Sequence, residues 1–138
     1  MKGKRIPGAA VLIVGNQVWY QCGMATIRVV PRLRILVGRD IALGPGKVEL
    51  LEHIARTGSL RKAAAAMDMS YMRAWTLVQT MNHCFQKPLV VTKRGGAQGG
   101  SALVTSEGNA VVALYRRMET LTLHGIKPVR TELANLLR

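Results

Sequence analysis

Apolar residues recur at helical spacing in four segments, which predicts four helices along the chain. The first begins at Pro45 and ends before Gly58, because proline suits the first turn of a helix and glycine the position after the last. Ser59 is placed to cap a second helix over about residues 60–67. The centre of this helix is a run of alanines, whose small side chains let a neighbouring helix approach closely.

The third helix follows Ser70, a second capping residue, and runs to about Phe85. Its predicted apolar stripe consists of Tyr71, Ala74, Trp75, Val78, Met81, Asn82 and Phe85. Since aromatic residues at helical spacing usually pack inside, we expect Trp75 in the core, whereas Tyr71 fits either the core or a ligand contact. The positions off this stripe are available to solvent or to a ligand, and they are Met72, Arg73, Thr76, Gln79 and Thr80.

Short apolar runs separated by turn residues predict strands on both sides of these helices. Residues 32–43 are predicted to form a hairpin. After the third helix, a basic, glycine-rich loop over Lys93–Gly100 separates two further strands, residues 89–92 and 101–105. Two helices that meet at a tight turn, followed by such a loop, are typical of a helix-turn-helix with a wing. We therefore expect a mainly α fold with small β sheets (α+β), a winged helix-turn-helix.

The fourth helix is the longest predicted element, with Thr105 or Ser106 as its cap and Gly125 at its end. Apolar residues recur along it at steps of three and four, at Val111, Leu114, Met118 and Leu121. Such spacing suits packing against another helix, and it also suits packing on the same domain. We divide the chain into a poorly ordered extension (residues 1–24), a winged domain (25–123) and a tail (124–138).

The net charge of the chain indicates which kind of molecule it binds. The 138 residues include twenty Lys and Arg but seven Asp and Glu, a formal net charge of +13. A domain of this size stays in solution with far less, so the excess indicates a polyanionic partner, most commonly nucleic acid. An anionic membrane surface is the rival, but no predicted helix pairs a strongly basic face with bulky apolar anchors.

Residues that could carry catalysis or bind a metal are few and scattered. The three histidines, His53, His83 and His124, lie in different elements without an evident partner, and Cys22 and Cys84 form no C-x-x-C pair. We therefore expect no enzymatic activity, no metal and no cofactor. The cysteines are too few for a disulfide framework, and no apolar run approaches the about 18 residues that span a bilayer, so we expect a cytoplasmic, nucleoid-associated protein.

The third helix carries the candidate contacts to base edges, because the major groove admits one helix. Arg73 is the leading candidate, since a guanidinium binds guanine through two hydrogen bonds; Thr76 and Gln79 could read neighbouring positions. Ser70 and Tyr71, near the N-terminus of the helix, suit phosphate contacts. For Arg73 the alternative is an ordinary exposed arginine on a surface helix.

Two further segments supply candidate backbone contacts. The second helix begins with Ser59, Arg61 and Lys62, although a simple cap explains Ser59 equally well. In the loop, Lys93 and Arg94 supply charge that displaces counterions, and the glycines expose backbone N–H donors. The loop residues assigned to DNA binding are Lys93, Arg94, Gly95, Gly96 and Gln98. A flexible hairpin tip without a ligand is the alternative.

These motifs make residues 33–120 similar to the N-terminal winged-helix domain of the ModE family of molybdate-responsive transcriptional regulators. The motifs are Gly58-Ser59 with its alanine-rich helix, Met69-Ser70-Tyr71-Met72-Arg73-Ala74-Trp75, Met81-Asn82, and the loop residues 94–105. The helix-turn-helix is LysR-like, but the Ser-Tyr-x-x-Ala-Trp element separates this chain from LysR-type regulators, whose third helix usually follows a Ser-Gln-x-x-x-Ser pattern.

The resemblance implies a bacterial homodimer that binds double-stranded DNA and pairs through the long helix after the wing, here through Val111, Leu114, Met118 and Leu121. Members of that family also carry molybdate-binding domains. No Ser-Ala-Arg-Asn-type oxyanion motif occurs in this chain, so we expect no molybdate site in it. The predicted function is sequence-specific transcriptional regulation; the alternative is a winged-helix module for protein–protein interaction.

Overall fold

The computed structural model describes residues 11–14, 17–22, 25–95 and 100–137. The strands are β1 (Val11–Val14), β2 (Gln17–Cys22), β3 (Ala25–Val29), β4 (Ile35–Val37), β5 (Asp40–Leu43), β6 (Val90–Lys93) and β7 (Ser101–Val104). The helices are α1 (Pro45–Thr57), α2 (Leu60–Ala66), α3 (Tyr71–Cys84), α4 (Ser106–Gly125) and α5 (Lys127–Ala134). The predicted winged helix-turn-helix class, with a long helix after the wing, is confirmed.

The described residues group into two compact units. Arg32–Tyr115 form one unit, and the described residues before Arg32 and after Tyr115 form the other. The boundary falls inside α4, whereas the sequence analysis placed its boundaries after residues 24 and 123. Nothing in the apolar pattern of α4 marks this position.

The core of the larger unit is built by α1, α2 and α3 together with the wing strands. Four side chains of α1 are fully buried, and α2 and α3 each contribute small or branched residues to the same cluster. The principal members are Val48, Leu50, Leu51, Ile54, Ala63, Ala64, Ala74, Val78 and Met81. Two of the four alanines of α2 are therefore core residues, which places that helix close to its neighbours, as expected from their size.

The turns and caps that separate these helices follow the local sequence. Gly58 ends α1 in the left-handed conformation, at φ 65°. The hydroxyl oxygens of Ser59 and Ser70 accept hydrogen bonds from the backbone N–H groups of Lys62 (3.3 Å) and Arg73 (3.1 Å), so both predicted caps are confirmed. Asp68 forms the turn between α2 and α3 at φ 51°, a conformation that Asp tolerates better than most side chains.

Two hairpins flank the three helices. The predicted hairpin over residues 32–43 is confirmed as β4 and β5, in which Leu36 pairs with Ile41. The wing strands β6 and β7 pair from Val90–Val104 to Lys93–Ser101. The backbone N–H of Ala102 donates to the carbonyl of Gly58 at 2.9 Å, which ties the wing to the start of α2.

The first half of α4 is held against the wing strands. A Cβ atom at Gly108 would lie 2.7 Å from Cγ1 of Val104, so only glycine allows this close approach. Thr105 caps the helix: its hydroxyl accepts from the N–H of Gly108 at 3.0 Å and donates to the carbonyl of Pro88 at 2.8 Å. The buried Tyr115 donates its hydroxyl to the carbonyl of Leu33 at 2.8 Å.

The smaller unit contains a three-stranded antiparallel sheet in the order β1-β2-β3. The guanidinium of Arg28 lies 5.2 Å from the centre of the Trp19 ring on the neighbouring strand. Strands β1 and β2 lie within residues 1–24, for which the sequence analysis expected poor order. Pairing in this sheet supplies backbone hydrogen bonds that the interrupted apolar pattern did not indicate.

Helix α5 and the second half of α4 belong to the same unit. Glu119 is fully buried and accepts a hydrogen bond from the guanidinium of Arg116 at 2.8 Å. Arg130 is also buried, and it contacts the carbonyl of Leu123. The tail predicted over residues 124–138 is therefore partly helical, because α5 spans eight of its residues.

Candidate nucleic-acid interface

Helix α3 has a buried side and an exposed side, and the exposed side carries most of the candidate base contacts. Ala74, Val78 and Met81 face the core. Because consecutive residues lie about 100° apart around a helix, the opposite face is centred on Met72, Thr76 and Gln79. All three are exposed, and Met72 is 65% exposed.

The structure corrects the prediction for Trp75. This side chain was expected in the core, but 39% of it is exposed. Trp75 follows the buried Ala74 by about 100° around the helix, so it lies at the edge of the core-facing side, where a large ring reaches the surface. Tyr71 is 42% exposed. Both aromatic rings are therefore accessible to a ligand of α3.

A pocket of about 240 Å³ lies where α2, α3 and the wing meet, and we call it the wing pocket. Its lining residues are Ser59, Leu60, Arg61, Lys62, Tyr71, Thr92, Lys93, Gly100 and Ser101. Three of them are cations and none is acidic. The sequence analysis had assigned Ser59, Arg61, Lys62, Tyr71 and Lys93 to DNA contact, and the structure brings these five together in one site.

The ring of Tyr71 has a specific neighbour in this pocket. The guanidinium of Arg61 lies 5.6 Å from the ring centre, within the range of a cation–π interaction. This contact links the first turn of α2 to the first turn of α3. It also holds the positive charge of Arg61 at the pocket surface.

The base of the wing is shaped by Gly100, which the sequence analysis did not assign to the site. A Cβ atom at this position would lie 2.7 Å from the carbonyl oxygen of Lys93 on the paired strand. Lys93, Arg94 and Gly95 are exposed beside it. Gly96 and Gln98 lie outside the described residues.

Arg73 does not reach the wing pocket. It lines a second pocket of about 240 Å³, here called the hairpin pocket, with residues of the β4–β5 hairpin and the start of α1. The lining residues are Arg34, Ile41, Gly44, Pro45, Gly46, Lys47, Met69, Arg73 and Leu77. The expected cations therefore gather around α3, but in two places. Sequence analysis missed Arg34 and Lys47, because residues that precede the helix-turn-helix gave no signal of proximity to α3.

Asn82 has a structural role that its place in the predicted apolar stripe did not reveal. Its amide oxygen accepts from the backbone N–H groups of Leu89 (2.8 Å) and Val90 (3.2 Å), and its amide nitrogen donates to the carbonyl of Val90 (2.8 Å). These bonds fasten the end of α3 to the start of β6. Asn82 thus helps to fix the position of the wing relative to α3.

The predicted dimer residues on α4 differ in burial. Val111 is half-buried and packs against the core of the larger unit. In contrast, Leu114, Met118 and Leu121 are 59%, 42% and 60% exposed. The three exposed residues follow one another along α4 at steps of four and three, so the helix carries an uncovered apolar stripe.

The described part of the chain contains neither a metal-binding cluster nor a membrane-spanning helix. No group of three or more His, Cys, Asp and Glu residues there is arranged to hold a metal ion. Within the same residues, no helix combines the length and the apolar character needed to cross a bilayer.

Comparison with known families gives a match over the part of the chain that contains the whole wing pocket. Residues 46–109 match the family described as bacterial regulatory helix-turn-helix protein, lysR family. These residues are similar to a LysR-type helix-turn-helix domain. The LysR-like character of the predicted motif is therefore confirmed, but the separation from LysR-type regulators expected from its third helix is not, because the match includes that helix.

Curated relatives carry the resemblance to ModE proteins. The molybdenum transport protein ModE of Azotobacter vinelandii is 38% identical over 96 residues, which cover 70% of this chain and 36% of that protein. The molybdenum-pterin-binding protein MopA of Rhodobacter capsulatus is 42% identical over 77 residues, or 56% of this chain and 29% of that protein.

A third relative is the DNA-binding transcriptional dual regulator ModE of Escherichia coli K12. It is 37% identical over 83 residues, which cover 60% of this chain and 32% of that protein. The expected similarity to ModE regulators is confirmed. The chain spans about a third of the length of these relatives.

Proposed function

We propose that this chain is a sequence-specific, DNA-binding transcriptional regulator that acts as a homodimer. In each protomer α3 enters the major groove, and the wing contacts the adjacent backbone or minor groove. The observation that carries the proposal is the wing pocket, in which Arg61 and Lys62 from α2 and Lys93 from β6 converge beside the exposed face of α3. The LysR-type domain and the similarity to ModE regulators support the same class. A cytoplasmic, nucleoid-associated location goes with this function.

Within this function, the wing pocket and the exposed face of α3 contact different parts of the DNA. The wing pocket is cationic, which suits phosphates, and phosphate contacts carry no sequence information. The exposed face of α3 presents Met72, Thr76 and Gln79 to base edges. An amide side chain such as that of Gln79 pairs with adenine through two hydrogen bonds, and apolar atoms contact the thymine methyl group.

The exposed surface of α4 supports the proposed dimer. Leu114, Met118 and Leu121 form an exposed apolar stripe, and a second copy of the same helix would bury it. A dimer of this kind would place two copies of α3 at half-sites about one helical turn apart, or a multiple of that spacing.

Selection of bound sequences from random duplex DNA tests the function. We expect the selected site to have two related halves and to bind more tightly than random duplex at the same salt concentration. Equal affinity for both would contradict specific regulation and favour the alternative, a winged-helix module for protein–protein interaction.

Gln79→Ala tests the assignment of base contacts. We expect it to lose about 1–3 kcal/mol on the selected site and to relax the preference at one base pair, because the bidentate contact is lost. Gln86→Ala is the matched control, since Gln86 is exposed just after α3. Equal losses on random duplex would show that Gln79 contacts no base.

A further inference from the structure

The hairpin pocket is a second cationic site beside α3. Its volume is about 240 Å³, and it is lined by Arg34 from the segment before β4, Lys47 from α1 and Arg73 from α3. No acidic side chain lines it. Gly44 and Gly46 form part of its wall, and a Cβ atom at Gly44 would lie 3.8 Å from Cγ of Arg34, so the arginine stem lies against the start of α1.

The two arginines of this pocket are available to a ligand. Among the residues that the structure describes, neither Arg34 nor Arg73 forms an ion pair, and both are exposed. Lys47 differs, because it is 8% exposed and its ammonium donates to the carbonyl of Ile41. Burial lowers the pKa of Lys47. The guanidiniums of Arg34 and Arg73 are therefore the exposed cations of this pocket.

The two pockets lie on different sides of α3. Tyr71 lines the wing pocket and Arg73 lines the hairpin pocket. Because these residues are two positions apart, their side chains leave the helix about 200° apart. The exposed face with Met72 and Thr76 lies between them. The helix therefore has a row of potential base contacts with a cationic pocket on each flank.

A helix in the major groove, which is about 12 Å wide, lies between the phosphates of two strands. We propose that the hairpin pocket binds a backbone phosphate of one DNA strand through Arg34 and Arg73, while the wing pocket binds the other strand. This proposal rests on the proposed function. It assigns Arg73 to a phosphate, which a planar guanidinium binds through two hydrogen bonds, instead of to guanine.

Duplex binding by Arg34→Gln and Arg73→Gln tests the assignment. We expect each variant to weaken the selected site and random duplex by the same factor, about fivefold, and to reduce the slope of log K against log salt by about 0.9. Arg39→Gln is the matched control, because Arg39 is an exposed arginine in the turn of the same hairpin but outside the pocket. A loss by Arg73→Gln on the selected site alone would overturn the proposal.

Duplexes with a single neutral methylphosphonate identify the strand. At the position that a side chain contacts, the modified duplex should lose no further affinity when that side chain is replaced. This position for Arg34→Gln should lie on one strand, and the corresponding position for Lys93→Gln should lie on the opposite strand. Finding both on one strand would contradict the two-flank arrangement.

A titration with inorganic phosphate at constant ionic strength tests the pocket without DNA. We expect NMR shifts of the side-chain Nε–H signals of Arg34 and Arg73 and of the backbone N–H of Gly46, and their loss in Arg34→Gln. Their absence from the unsubstituted protein would overturn the pocket even if duplex binds. Absence of duplex binding would instead overturn the proposed function, and phosphate shifts would then identify a pocket for free oxyanions.

Discussion

The exposed faces of α3 and α4 differ in what surrounds them. On α3, the exposed residues Met72, Thr76 and Gln79 stand between two pockets that together contain six cations and no acid. On α4, Leu114, Met118 and Leu121 follow one another as an exposed apolar stripe. Each helix also has buried residues on its other side, so the difference concerns only the exposed sides.

This contrast indicates two kinds of partner. Cations in pockets that no acidic side chain lines favour a polyanion, and they lose little by exposure because water solvates them. Exposed leucines gain free energy only when another apolar surface covers them, at about 25 cal/mol for each Å² removed from water. The proposed function assigns the cationic surface to DNA and the apolar stripe to a second copy of the chain.

The largest expected effect is on association through α4. Leu114→Asp should weaken dimerisation by about 100-fold or more, because each dimer would bury two unpaired carboxylates. Sedimentation equilibrium measures this constant. Thr120→Asp is the matched control, since Thr120 is an exposed residue of α4 that lies about 120° around the helix from Leu114. Equal effects of both variants would place the dimer contact elsewhere.

A smaller effect is expected in the wing pocket. Lys93→Gln should weaken selected and random duplex alike, by about fivefold, because one phosphate contact and its counterion release are lost. Filter binding at several salt concentrations gives both the affinity and the salt slope. Lys87→Gln provides the comparison, because Lys87 is exposed but does not line the pocket. If dimerisation also weakens in Lys93→Gln, the two surfaces are not separate.

Among these three variants, the smallest effect is expected at Met72, on the exposed face of α3. Met72→Ala should reduce affinity for the selected site by about threefold and leave the free energy of unfolding within about 0.5 kcal/mol, because Met72 is 65% exposed. Urea unfolding and duplex binding measure the two quantities. A loss of stability without a loss of affinity would mean that Met72 packs inside and reads no base.

The elements near the helix-turn-helix were predictable because their signals are local. Both serine caps, the glycine after α1 and the turn at Asp68 depend on the conformations of a few neighbouring residues. The convergence of five predicted contact residues in the wing pocket also followed from the motif. The exposure of Trp75 did not, since helical spacing gives the direction of a side chain but not how far the core extends around the helix.

The sequence by itself predicted the winged helix-turn-helix class and a polyanionic partner. The excess of positive charge, the capped helices and the glycine-rich loop each follow from residue type and short spacing. Only the tertiary structure placed Arg34 beside Arg73, and showed that Asn82 fastens the wing to α3. These relations join residues from separate elements, and packing decides them. For the same reason, the sequence did not show that the β4–β5 hairpin packs beside α3. The hairpin pocket on that side of α3 is therefore known only from the tertiary structure.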